Sequence, residues 1–206
     1  MIRVLCLLAL VSSGCALRRV PLDVLSKLPY EAKIELLEAE NDLAVAVDRL
    51  DEAKAEVSRA AQQIRRAKDR ERAADFELGN AKDADSKEIA RLALTEADRR
   101  VTWLRARQEL NVSEESLATR GLRCAEARYE LARLTAARKA KLEGSERLEP
   151  ADFEGQLKQC EGEYAQLKEG LRKSGQEAEA IKAKWEEARA ALAKKTFDAR
   201  ASPFVE

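Results

Sequence analysis

Apolar side chains recur along most of the chain at the spacing of a buried helical stripe. Leu36, Leu43, Leu50, Val57 and Ile64 stand seven residues apart, and Ala39, Ala46, Ala53, Ala60, Ala67 and Ala74 follow three positions later. Two rows at this offset share one helix face, which predicts a first long helix over about residues 30–78. The same period continues with Ile89, Trp103, Leu110, Leu117, Cys124 and Leu131, predicting a second helix over about 84–142. A third stripe, from Phe153 through Leu157, Cys160, Tyr164, Leu167, Leu171, Ser174, Ala178, Ile181, Trp185 and Ala188 to Leu192, predicts a helix over about 150–196. The helices are punctuated by Gly79-Asn80 and by a break from Gly144-Ser145 to Pro150, where proline suits a first helical turn. The fold class expected is all-α: a long antiparallel helical coiled-coil bundle of three helices. The third stripe demands a partner, either the hairpin before it or another copy, and the short connection favours folding back.

A turn near residues 81–82 predicts a register for the first two helices. It sets Ala46 by Leu117, Ala53 by Leu110, Ala60 by Trp103 and Ala74 by Ile89, small against large at each level. It also brings Glu35 near Arg128, Glu40 near Arg123 and Arg65 near Asp98. One level is discordant, because Ala67 would face the charged Glu96.

Composition supports long helices: 37% of residues are charged and only 4% aromatic, which is the balance of a coiled coil. The 38 basic and 38 acidic residues cancel, so no global charge draws the chain to nucleic acid. Histidine is absent, which removes the commonest general base and metal ligand. No glycine-rich phosphate loop, nucleophile elbow or CxxC pair occurs. These features point away from catalysis, cofactors and metals.

The first residues carry a different signal. Arg3 precedes a short apolar run over residues 4–11, then Ser12, Ser13 and Gly14 lead to Cys15. So short a run cannot cross a hydrocarbon core, which needs about 20 residues, and reads as a signal peptide. Cysteine directly after Ser-Ser-Gly resembles the lipobox of bacterial lipoproteins, although Ser12 stands where that family usually has Leu or Val. The resemblance covers the first 15 residues and implies cleavage before Cys15, which becomes the lipidated first residue. Three hydrocarbon chains make a firm anchor where one is marginal. Ala16 rather than Asp after the cysteine implies, by the same likeness, an outer-membrane address. Cleavage after Ala16 instead would release a soluble periplasmic protein. The organisation expected is therefore a signal peptide (1–14), a lipidated tether (15–29), a helical bundle (30–196) and a tail (197–206).

Cys124 and Cys160 fall on neighbouring stripes, so three states are open: a disulfide joining the second and third helices, two buried thiols, or an intermolecular bond. Trp103, Tyr164 and Trp185 read as core. Charge divides along the first helix, acidic over 31–56 and basic over 59–72. Arg65, Arg66, Lys68, Arg70 and Arg72, with Arg99 and Arg100 of the second helix, form a candidate patch for an anionic partner; the plainer reading, which the pattern favours, is a solvated face paired within its helices to Asp69, Glu71 and Asp98. The function expected is a lipid-anchored envelope scaffold or adaptor. It would contact the membrane through its lipid and an unidentified envelope protein or cell-wall polymer through its helices. The alternative is a periplasmic holdase for unfolded envelope proteins.

Overall fold

Alanine, leucine, glutamate, lysine and arginine all favour helix, and few glycines or prolines interrupt them. The computed structural model describes residues 17–197, which contain helices, turns and short connections and no strand. The helices are α1 (Leu22–Leu25), α2 (Tyr30–Glu35), α3 (Leu37–Asn80), α4 (Ala84–Lys139) and α5 (Pro150–Thr196), with a 3-10 turn at Ser145–Arg147. The expected count of three is thus corrected. Four helices of six residues or more follow the one-turn α1, because the first predicted helix is divided at Leu36 into α2 and α3.

Local chemistry sets the breaks. Asp83 caps α4: its carboxylate accepts from the Ser86 amide at 2.7 Å, and the Ser86 hydroxyl accepts from the Asp83 amide. The Ser86 amide first, and then the Ser86 hydroxyl at 2.8 Å, donate to the Asp83 carboxylate and hold it below its usual value. At the other end, the Leu142 amide donates to the Ala137 carbonyl while Lys141 adopts a left-handed φ of 51°, closing the helix as a Schellman turn. Gly144, with φ 91°, then turns the chain toward α5.

Helix α4 is the centre of the molecule. It packs along both α3 and α5, whereas α3 and α5 do not pack against each other along their length. Its buried residues accordingly occupy more than one face: Ala97, Val101 and Leu104 on one side, Cys124 and Glu96 on another. Along α3, Ile64 and Ala67 share a cluster with Val101 and Leu104. Along α5, Trp185 stacks on Trp103 with ring centroids 4.6 Å apart and planes 5° from parallel.

This division corrects the expected register. Trp103 gives its ring face to Trp185 while also bordering the cluster of Ile64, Ala67, Val101 and Leu104, and Leu110 lies beside Gly175 of α5. The large row of α4 therefore reaches α5 at these levels, and Val101 and Leu104 join Ile64 and Ala67 of α3. Glu40 accepts from the Tyr129 hydroxyl at 2.7 Å, not from Arg123, and Glu35 pairs with Lys139 at 2.6 Å, leaving Arg128 to Glu161 at 2.9 Å. Burial first, then the Glu40 carboxylate, pushes the Tyr129 phenol up. The discordant level is resolved too: Ala67 is buried among apolar groups, while Glu96 turns to α5 and accepts from the Trp185 indole at 2.7 Å.

Residues 17–29, expected to be a tether, are folded onto the end of the molecule where α4 finishes and α5 begins. Val20 and Val24 are buried with Leu134, Ala137 and Phe153, and Leu28 joins Ala32, Leu36 and Ala136. The Val20 amide donates to the buried Glu130 carboxylate at 2.8 Å, and Arg133 supplies the opposing charge at 2.8 Å. Arg18 adds an ion pair to Asp152 at 2.7 Å. A buried carboxylate is costly unless satisfied, and here both an amide and a guanidinium satisfy it. We call this end the base.

The packing separates two alanines that the heptad treats alike. Ala60 is 3% exposed, whereas Ala53 lies half-buried beside an open groove. Ala60→Leu is expected to lower stability by about 1–3 kcal/mol through overpacking, and Ala53→Leu to leave it within about 0.5 kcal/mol. Chemical denaturation of both variants checks this difference.

Candidate functional site

The α3 stripe is buried at its two ends, with Leu36 at 5% and Ile64 at 7% exposure. Between them Leu43, Leu50 and Val57 are only half-buried, although the heptad continues without interruption. The reason is side-chain size. Ala46 and Ala53 on α3 stand near Ala118, Gly121 and Ala125 on α4, and small residues on both walls leave space unfilled. The result is a groove of about 560 Å³ between α3 and α4. Its apolar lining includes Val45, Leu117 and Tyr164, the last contributed by α5.

Tyr164 reaches this groove by passing over Gly121. A Cβ built there would stand 3.4 Å from the Tyr164 ring, an ordinary contact distance, so the ring lies directly over this position. The groove rim is predominantly acidic, carrying Asp42, Glu52, Glu56, Glu114 and Glu161 against Arg49 and Arg128. Arg128 is engaged by Glu161 at 2.9 Å, and Glu56 by Arg59 at 3.0 Å.

Cys124 and Cys160 are bonded to each other, with Cα atoms 5.5 Å apart, and are 6% and 8% exposed. Cys124 also lines the groove, so the crosslink ties α4 to α5 beside the Tyr164 crossing. Cys15 lies outside the described residues.

The basic residues of the expected patch differ in exposure. Arg65, Arg66 and Arg72 are exposed on α3, with Arg72 paired to Asp69 at 3.3 Å, while Lys68 and Arg70 are half-buried. Arg99 is exposed on α4, but Arg100 is 6% exposed, and its guanidinium stands 5.8 Å from the Trp185 ring centre. Arg100 is thus a correction to the expected patch, because the face of α4 that carries it is taken by α5. Among the described residues, no group of three or more His, Cys, Asp or Glu side chains is arranged to hold a metal ion. None of the described helices is long and apolar enough to cross a membrane.

Comparison of the chain with family models, curated proteins and solved structures gives no match. What the arrangement offers chemically is a binding surface: an apolar trough, an acid-rich rim and a crosslinked wall. Sequence reasoning missed the groove, since the periodicity treats Ala46 and Ala53 as packed positions. The signal available was the meeting of small residues on both helices.

The crosslink closes a sequence separation of 36 residues. Loop-closure entropy for that length gives about 3–4 kcal/mol of stabilisation. Cys124→Ser with Cys160→Ser is expected to lose about 2–4 kcal/mol against the oxidised wild type, and reductant is expected to lower the melting temperature of the wild type alone.

Proposed function

We propose that the chain is a non-catalytic, lipid-anchored scaffold or adaptor of the bacterial envelope, in which α3, α4 and α5 act as an antiparallel coiled-coil rod. The observation that carries this reading is the folded base. Leu17 stands two positions after Cys15, and from Arg18 to Leu28 the chain is held by an ion pair to Asp152, a hydrogen bond to Glu130 and burial of Val20, Val24 and Leu28. A lipid on Cys15 would therefore be coupled to folded structure within a few residues. The membrane attachment would then orient the rod, rather than merely confine it.

Helix α4 has 56 residues, which corresponds to about 84 Å at 1.5 Å per residue. Such a rod sets a distance between the outer membrane and a protein or cell-wall polymer farther into the periplasm. Several of its surface charges pair within one helix, as with Arg172 and Glu169 at 2.8 Å, and others join helices, as with Lys195 and Asp85 at 2.8 Å, which suits a solvated support.

A second reading, the periplasmic holdase, is favoured by the exposed row Tyr30, Ile34 and Leu37 near the base, at 74%, 49% and 56% exposure. Apolar groups at such spacing on a helix surface suit weak contact with unfolded chains.

The test is intact mass, membrane fractionation and crosslinking of the mature protein from native envelopes, with Cys15→Ala in parallel. The scaffold reading expects lipid mass on Cys15, membrane recovery lost in Cys15→Ala, and one recurrent crosslinked assembly. A mature chain beginning at Leu17, unlipidated and crosslinked to many unrelated outer-membrane proteins, would overturn it in favour of the holdase.

A further inference from the structure

The groove between α3 and α4 is a coiled-coil seam with space left over. Its walls carry Val45, Ala46 and Ala53 of α3 and Leu117, Ala118 and Ala125 of α4; along the same stretch of α3 Leu43 and Leu50 remain half-buried, while Leu36 and Ile64 on either side are buried. Val45, which lines the groove, is 39% exposed, so its apolar surface is open to solvent. A seam of this kind is filled when a further helix inserts side chains between the two walls.

The rim states the chemistry of that helix. Two of its five carboxylates are engaged by arginines, Glu56 by Arg59 and Glu161 by Arg128, and Asp42, Glu52 and Glu114 border the opening from both walls. Acidic flanks beside an apolar seam select basic flanks opposite, as charged positions do in coiled-coil pairing. An anionic lipid headgroup would be repelled by the same rim. The stretch from Asp42 to Glu56 is about 21 Å long at helical rise, which matches about four turns.

We propose that this groove receives one amphipathic helix of a partner protein, apolar on its inserted face and lysine- or arginine-rich on its flanks. The proposal rests on the adaptor reading and gives its partner a chemical description. Tyr164, held over Gly121 by α5, forms part of the groove lining. Because α5 supplies that ring and is crosslinked at Cys160, the groove is shaped by all three long helices.

The experiment is fluorescence anisotropy with full-length protein and a labelled model helix of about 15 residues, the length of the stretch from Asp42 to Glu56 at 1.5 Å per residue, bearing leucine at its seam positions and lysine on both flanks. Two controls replace the lysines by glutamates or the leucines by serines. The expected result is that the lysine-flanked leucine helix binds at least about tenfold more tightly than either control. Ala118→Phe, which fills the groove, and Glu52→Lys with Glu114→Lys, which reverses the rim, are each expected to weaken it about tenfold. The rim variant changes exposed or half-buried side chains only, so it keeps the test open if Ala118→Phe fails to fold. Equal binding of the glutamate-flanked helix, no binding of any helix, or binding unchanged in the folded variants would overturn the proposal. So would self-association of the full chain, seen by sedimentation, that the rim variant abolishes, since a second copy would then be the occupant. Cys15→Ala is expected to bind the helix as wild type does; lost anchoring with intact binding separates failure of the lipid reading from failure of the groove.

Discussion

Helix α4 has to bury apolar side chains on more than one face, and that requirement organises everything else. An isolated helix of this kind would expose at least one stripe to water, at roughly 25 cal/mol for each Å² of apolar surface. The chain meets the requirement by laying α3 along one side and α5 along another. The two outer helices then do not pack along each other, and the architecture is an open arrangement around a shared central helix. Its polar consequences follow: Glu96 and Arg100, charged residues on a face that α5 covers, are held by the Trp185 indole and by its ring.

The same geometry explains why one stretch of α3 is left open. Where α4 offers Val101 and Leu104, α3 closes on it with Ile64 and Ala67. Where α4 offers Ala118 and Gly121, the space is not filled, and Tyr164 from α5 borders it. At the base, closure resumes because residues from the N-terminal segment, Val20, Val24 and Leu28, supply the missing apolar volume. The packing is therefore tight at the base and around Ile64, and loose between. The binding role proposed above is placed in the loose part, since apolar surface there is exposed and bordered by charge.

The helical class and the three long segments were legible from heptad spacing, because a period of seven leaves little choice of secondary structure. The partner of each stripe was not. Trp103 and Leu110 have the size to fill a gap opposite alanine, and spacing alone could not tell that α5 would pack against them. Glu96 was the clue: a charge that fitted badly against Ala67 belonged to another seam, where an indole N–H could satisfy it. Residues 17–29 were read as a tether from Pro21, Pro29 and their charges, yet Val20, Val24 and Leu28 stand four apart and form a buried edge. The groove was the least legible feature, since it arises from small residues meeting across two helices rather than from any motif.

Amide hydrogen exchange on the oxidised full-length chain tests the shared-helix account most directly, because it reports protection level by level along each helix. The account expects α4 to exchange slowest from Ala97 to Ala137, and α3 to exchange faster over residues 42–56 than over residues 60–74. Equal protection of those two stretches of α3 would mean that its seam is closed throughout, and would contradict both the open architecture and the groove.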